Sequence, residues 1–589
     1  MRYRGVLFAL WLTFPALANI TTAALTGRVI IGHSSHAGVA VTVSSSALQQ
    51  PRATITNASG RYWLGALPPG TYEVTFSLAG HTTLTKRAVL ELGRVARADA
   101  TLEPNPDEDS TTSTATTITV ADTIAITTHF DDRALDRLPT GRLASASLAP
   151  GGQFGSISVL DGVPFSAVTS EETIEQTTIV RGATPVEWES FFGTADVFRT
   201  RSGGEELSFT LRNTITDPNW NSNVGYDPGA PEPENDLMHF GEATAGGRIV
   251  SQRLWFFAGA WRGEQAFPNA QRFDGTLAKI DAQLGHAHHV GVHYTDTSQH
   301  TGFLPFDRDT VSLRYTAVAG ARLTSEVVAA RTWTEASSGE ASTEFLSART
   351  SYVLGDHVVT AGFSNDDGAG PSYASFYASD RWSSQRWNVY AGVRHDDSEF
   401  VDRWSPRVAI SYDLRGNGTQ AIAASWGEYA IAAQPASLQR VSSLGYATAI
   451  GNSGSARVDI IRRESRNFWQ NELQLDARYR LLDRFEAGAT YTLANQSRSA
   501  FISPSSLDQV ANVWVGAELP VGNHEFGVTL LQRYMDFDFF GFSTAPTDVA
   551  LRYAIPFSRL GFLVAADATN IFDDHDAPRA VRLWFRVRV

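Results

Sequence analysis

Cysteine is absent from all 589 residues, which excludes disulfide staples, zinc–thiolate sites and iron–sulfur clusters together. Lysine is nearly absent as well: Lys86 and Lys279 are the only two. With 48 Lys+Arg against 62 Asp+Glu, the formal charge is −14. No lysine-rich patch can gather phosphates, so the chain does not read as a nucleic-acid partner. Long apolar runs are missing too. A membrane-crossing helix needs ~20 consecutive apolar residues, and none follows the N-terminal segment although 43% of the chain is hydrophobic. Glycine and aromatics are plentiful instead, with 48 Gly, 33 Phe, 17 Tyr and 14 Trp. That mixture suits many short strands joined by tight turns.

Arg2 and Arg4 precede an apolar run over 6–17 that ends in Pro15-Ala16-Leu17-Ala18. A charged start, a short apolar stretch and a small-residue cleavage site predict a signal peptide over 1–18. An exported chain without a membrane helix has three open destinations: the medium, the periplasm, or an outer membrane entered as a barrel.

Residues 25–102 read as a small β-sandwich. Val39, Val41 and Val43 alternate with polar or small residues, and Tyr72, Val74 and Phe76 do so after the turn Pro68-Pro69-Gly70. Residues 103–122 follow as a linker, because Pro104, Pro106, Asp107, Glu108, Asp109 and a Ser/Thr run offer nothing to a core. The linker ends in Thr117, Ile118, Thr119, Val120, Ala121 and Asp122. This β-prone stretch behind a tether either pairs with a partner by strand addition or begins the next domain.

Residues 123–204 are mixed, a small α/β unit. A strand stops at Asp161-Gly162-Val163-Pro164, Ile179-Val180-Arg181-Gly182 follows, and Phe192-Gly193-Thr194 leads into Ala195-Asp196-Val197-Phe198. From 205 to 589 the text alternates with period two. Leu473, Leu475, Ala477 and Tyr479 oppose Glu472, Gln474, Asp476 and Arg478; Val408 and Ile410 oppose Arg407 and Ser411; Leu583, Phe585 and Val587 oppose Arg582, Arg586 and Arg588. An outward arginine at mid-membrane costs ~2–4 kcal/mol, so the arginines are expected inside. Short turns alternating with longer polar loops, such as 228–236 and 395–403, are the asymmetry of a transmembrane barrel. At ~9–11 residues per strand plus connections, the segment holds about 22 strands.

Other constellations carry less. Gly416-Asn417-Gly418 joins strand to strand and reads as a turn, not a dinucleotide loop. His286, His288, His289 and His293 straddle a turn without a carboxylate at ligand spacing. Asp131-Asp132, Asp366-Asp367, Asp396-Asp397 and Asp573-Asp574 read as solvated loops. The aromatics of 534–542 read as an interfacial girdle, and no nucleophile elbow, His-Glu-x-x-His or phosphate-loop motif occurs.

Family patterns agree with these readings. Leu25-Thr26-Gly27-Arg28-Val29, Ser59-Gly60-Arg61-Tyr62 and Leu67-Pro68-Pro69-Gly70-Thr71-Tyr72 resemble the carboxypeptidase regulatory-like domain, a carbohydrate-binding-like fold. The three stretches of 123–204, in that order, resemble the plug domain of a TonB-dependent receptor. Ala245-Gly246-Gly247-Arg248 with Leu254-Trp255-Phe256-Phe257 resembles the second and third barrel strands of the Oar-like branch, and Asn570-Ile571-Phe572-Asp573 its penultimate stretch. Two departures stand out: Ala195-Asp196-Val197-Phe198 replaces a Gly-Gly-Val-Asn-like sequence, and the chain reads Val589 at its last position with Phe585 four earlier.

The resemblance implies an all-β protein of the cell outer membrane: an N-terminal sandwich, a small α/β plug and an antiparallel barrel. It implies a TonB box at 117–122 and a plug motif of Asp161, Gly162, Val163, Pro164, Arg181, Gly182 and Gly193. Its implied partners are TonB with its inner-membrane energising complex, outer-membrane lipid, the barrel assembly machinery and a small ligand (siderophore, glycan or peptide). Transmembrane transport of a scarce ligand is the implied activity, without catalysis, cofactor or metal. A non-transporting surface binding or adhesion protein on the same barrel is the alternative, motivated by the short plug. A secreted glycan-acting enzyme rests on the sandwich alone, which serves equally as a spacer.

Overall fold

The computed structural model describes residues 22–589 except 46, 91–94, 105–110, 119–125, 131, 137–155, 166–169, 182–184, 188–193 and 218–236, and except the barrel connections 266–270, 286, 301–304, 321, 337–338, 369–371, 385, 399–401, 416–419, 430–439, 451–453, 465–467, 482–483, 499–505, 538–541, 558–559 and 573–579. The expected signal peptide lies outside the described residues.

The sandwich is built from two sheets. One joins β1 (Ala23–Ile31), β2 (Ser34–Ser35), β5 (Arg61–Leu67), β8 (Val95–Arg97) and β9 (Ala100–Leu102); the other runs β10 (Thr111–Ile118), β7 (Thr83–Leu90), β6 (Gly70–Ser77), β3 (Ala40–Ser44), β4 (Arg52–Ile55). The alternating residues read from the sequence, Val39, Val41, Val43, Tyr72, Val74 and Phe76, are fully buried between them, and Leu25, Val29 and Leu90 join them. β10 differs from the sequence reading. Of the stretch expected either to pair with a partner or to begin the next domain, Thr117 and Ile118 end β10, which adds in parallel to β7 of the sandwich, with Thr117 opposite Arg87 and Ile118 opposite Ala88. A Ser/Thr-rich segment has no apolar face to bury, but its backbone can still complete an open sheet edge, and the composition of the segment does not show that. Thr119, Val120, Ala121 and Asp122 lie outside the described residues.

Next come β11 (Ile126–Phe130), a short helix α1 (Asp132–Leu135), β12 (Ser156–Leu160), β13 (Val163–Phe165), a 3-10 turn at Glu171–Thr173, β14 (Ile174–Arg181) and β15 (Thr194–Thr200). They form one mixed sheet, β11-β14-β15-β12-β13.

The strands from β16 (Ser208–Thr216) to β38 (Ala580–Arg588) close into an antiparallel barrel. β16 pairs with β17 (Met238–Val250) on one side and with β38 on the other, Thr214 facing Trp584. β35 (Phe542–Thr544) and β36 (Thr547–Phe557) lie end to end along β34 (His524–Phe537), so the wall has 22 staves. The alternation falls as expected: Val408, Ile410, Leu475 and Phe585 are exposed on the outside, while Arg407, Ser411, Glu472, Gln474 and Arg586 are buried inside. The outer wall is therefore apolar and the lumen charged, the arrangement a barrel needs in lipid.

One expected loop is shorter than read. β26 (Trp387–Ser398) and β27 (Asp402–Asp413) run into 395–403, with His395 opposite Trp404 and Asp397 opposite Asp402. Charged residues are harmless on a stave beyond the apolar belt, so their appearance does not mark where pairing stops. The sandwich packs against the end of the barrel that carries the short turns. There Arg61 Nη1 lies 2.6 Å from Asp356 Oδ1, and Arg97 donates to the Ser384 carbonyl.

Candidate functional site

The lumen is occupied by the β11–β15 unit, and the candidate site is the set of contacts that seat this plug on the wall. Three seats are spread round the barrel.

The first is at the seam where the barrel closes. Glu171 and Glu172 sit on the 3-10 turn. Arg212 of β16 reaches Glu171 at 2.8 Å and Glu172 at 3.5 Å, and Arg582 of β38 reaches Glu171 at 3.1 Å. Arg586 of β38 lies 3.3 Å from Glu172 and also pairs with Asp136, while Arg588 reaches Asp132 at 2.9 Å. Ser170 Oγ donates to Glu242 of β17 at 2.6 Å. The Arg212 guanidinium lies 4.1 Å over the Trp584 ring. Arg212, Glu172 and Glu242 are buried; removing one member of such a group strands the opposite charge in a low-dielectric site, at about 3–5 kcal/mol.

The second seat is the Asp161-Gly162 turn. A two-residue hairpin with a type I′ turn has positive φ at both central residues, and Asp161 (φ 49°) with Gly162 (φ 91°) forms one between β12 and β13. The turn presents the Asp161 carboxylate to the wall. His293 Nδ1 of β20 (His288–Gln299) is 3.1 Å away and Lys279 Nζ of β19 (Gln271–Leu284) 3.9 Å, while Thr200 donates from its backbone at 3.2 Å. Arg314 of β21 (Phe306–Ala319) donates to the Asp161 carbonyl. Burial works to raise this carboxyl, but Lys279, His293 and Arg314 hold it well below the usual carboxylate range. Val163 packs beside it against Val328, Ala330 and Phe345.

The third seat is Pro185-Val186-Glu187. Val186 N–H donates to Tyr390 Oη at 2.7 Å, and Tyr390 Oη donates to Glu187 Oε2 at 3.0 Å. Arg381 of β25 (Tyr373–Ser383) pairs with Glu187 at 3.3 Å, Arg394 donates to the Val186 carbonyl at 3.1 Å, and Arg407 donates to the Pro185 carbonyl. Burial would raise the Glu187 carboxyl, yet Arg381 and its hydrogen bonds keep it lowered. The approach is close: a Cβ at Gly392 would meet both Val186 methyls at 2.9 Å.

Of the residues expected from sequence, Asp161, Gly162, Val163 and Pro164 thus stand at one seat. Arg181 ends β14 between Ile126 and Thr194, while Gly182 and Gly193 lie outside the described residues. Thr117 and Ile118 are on the sandwich sheet, not in the lumen. The histidines separate: His288 stacks on Tyr315, His289 approaches Asp281 and His293 serves the plug. Among the described residues no group of three or more ligand-type side chains could hold a metal ion. Sequence reasoning missed Glu171, Glu172, Glu187, Lys279 and Tyr390. The available signal was that inward-facing charges on a barrel strand must meet an opposite charge in the lumen.

Known proteins agree with this architecture. Residues 24–103 match the carboxypeptidase regulatory-like domain family. The chain is 27% identical over 300 residues to the TonB-dependent transporter Oar of Myxococcus xanthus, a match that takes in 44% of this chain and 28% of that protein; the chain thus spans under a third of that relative's length. Its fold is that of solved outer-membrane receptors. The siderophore receptor PirA from Pseudomonas aeruginosa superposes with a TM-score of 0.62 at 15% identity, covering 79% of this chain and 99% of that one. The alcaligin outer-membrane receptor FauA from Bordetella pertussis gives 0.57 at 13% identity, covering 80% and 95%.

Proposed function

We propose that this protein is a TonB-dependent outer-membrane transporter that takes up a small, scarce ligand and catalyses no reaction. The observation that carries the reading is a closed 22-stave barrel whose lumen holds a separate sheet, seated by buried ion pairs on opposite parts of the wall. A plug held by so many buried charges does not leave by thermal motion alone, so passage requires work done on it. TonB, driven by its inner-membrane complex, supplies that work by pairing with the 117–122 strand. Lipid covers the apolar wall, and the barrel assembly machinery inserts it, with the outward Phe585 on the last stave as the aromatic signal. The ligand class, whether siderophore, glycan or peptide, is set by the loop end of the barrel and the plug beneath it.

The test needs no knowledge of the ligand. The periplasmic domain of TonB from the same cell is titrated into the purified full chain and into a variant lacking residues 117–122. Binding to the full chain and at least tenfold weaker binding to the deletion is expected; equal binding by both would overturn the assignment of the box.

A further inference from the structure

We propose that the cavity between the sandwich and the turn end of the barrel is a binding site for a small organic anion, an acidic group on an apolar or aromatic body. The cavity measures about 250 Å³, a little under the ~300–1,000 Å³ of sites for drug-sized molecules, so it suits a molecule built around a single ring. It faces the lumen and not the lipid. Val353, Val358, Arg381 and Tyr390 form one continuous cross-strand row on the wall, and the Tyr390 hydroxyl in that row holds the plug. The opposite side is the sandwich, through Arg61, Tyr62 and Trp63 of β5 and Arg97 of β8.

The lining is cationic. Arg61, Arg97, Arg322 and Arg381 stand against a single carboxylate, Asp356. Arg61 is paired with Asp356, Arg97 with Asp99 and Arg381 with Glu187, and no carboxylate lies within ion-pair distance of Arg322 among the described residues. The Trp63 indole N–H and the Asn388 side-chain carbonyl are both buried and have no hydrogen-bond partner among the described residues. A ligand with an acidic group for Arg322 answers this lining, with Tyr62 and Trp382 beside its apolar body.

Trp63 and Trp382 make the site visible by their own fluorescence. Benzoate, phenyl phosphate and the uncharged benzyl alcohol are titrated into the full-length protein in detergent, without TonB, so that the result does not depend on transport. Saturable quenching by at least one anion is expected, about tenfold weaker for benzyl alcohol and for Arg322→Glu, and unchanged in Arg415→Glu, an exposed turn residue at the same barrel end. Arg322→Gln, which removes the charge and keeps a polar side chain, is expected to weaken binding of the anions severalfold and serves if Arg322→Glu fails to insert. Preference between benzoate and phenyl phosphate assigns the acidic group. No saturable binding by either anion, equal binding of benzyl alcohol, or equal loss in Arg415→Glu would overturn the proposal.

Discussion

The environment of Asp196 opposes its chemistry. The residue stands on β15 in the middle of the plug, is buried, and its Oδ1 has no partner among the described residues. Burial raises its pKa to about 7, against ~3.9 in an unfolded chain. The folded plug therefore holds the proton more tightly than the unfolded one. Stability from this group is complete below about pH 4 and is lost as pH rises through 7. Asp196→Asn is expected to raise the thermal midpoint at pH 8, by an amount that shrinks to nothing near pH 4; parallel curves for the two proteins would refute it. At the third seat, Tyr390→Phe leaves the Val186 N–H and Glu187 without their shared hydroxyl, at ~1–3 kcal/mol. More frequent channel openings in planar bilayers are expected, with the barrel's heat-modifiable migration on gels unchanged. At this scale the sequence was only half legible. The Asp161-Gly162 turn announces itself, because few dipeptides suit two positive φ angles in succession. The partnership of Arg586 with Glu172, 414 residues apart, does not, since alternation shows which way a residue faces and nothing of what it faces.

Strands were legible wherever one side of them meets an apolar medium and the other a polar one. The staves satisfy that condition, and so do β3 and β6 of the sandwich. β10 does not, since its place comes from backbone pairing alone. If 117–122 is what TonB grips, β10 must first peel from β7, because Thr117 and Ile118 already have a backbone partner there. Proline removes a donor and is poorly tolerated inside a pairing strand. The double variant Thr112→Pro, Thr114→Pro is expected to loosen β10 and to tighten TonB binding severalfold; unchanged affinity would mean that the pairing does not compete.

The whole molecule is three bodies in contact. The sandwich touches the plug as well as the barrel, through Gln176 to the Pro69 carbonyl at 2.8 Å and Arg199 to the Ala47 carbonyl at 3.2 Å. Movement of the plug toward the turn end thus meets the sandwich. A cysteine-free chain makes this directly measurable: Arg61→Cys with Asp356→Cys introduces the only two thiols. A short bis-maleimide is expected to join them in high yield in resting membranes and in lower yield once TonB is engaged. An equal yield in both conditions would show that the sandwich stays docked. The seam of the barrel has a consequence for biogenesis. The strands that close it are the first and last made, and they carry Arg212, Arg582 and Arg586, the cations that hold Glu171 and Glu172. The plug leaves the ribosome before any stave, yet its anchorage at the seam does not exist until the final strand has found the first. Synthesis order and locking order are therefore opposed, and a chain stalled short of β38 would be an open cylinder with its stopper loose.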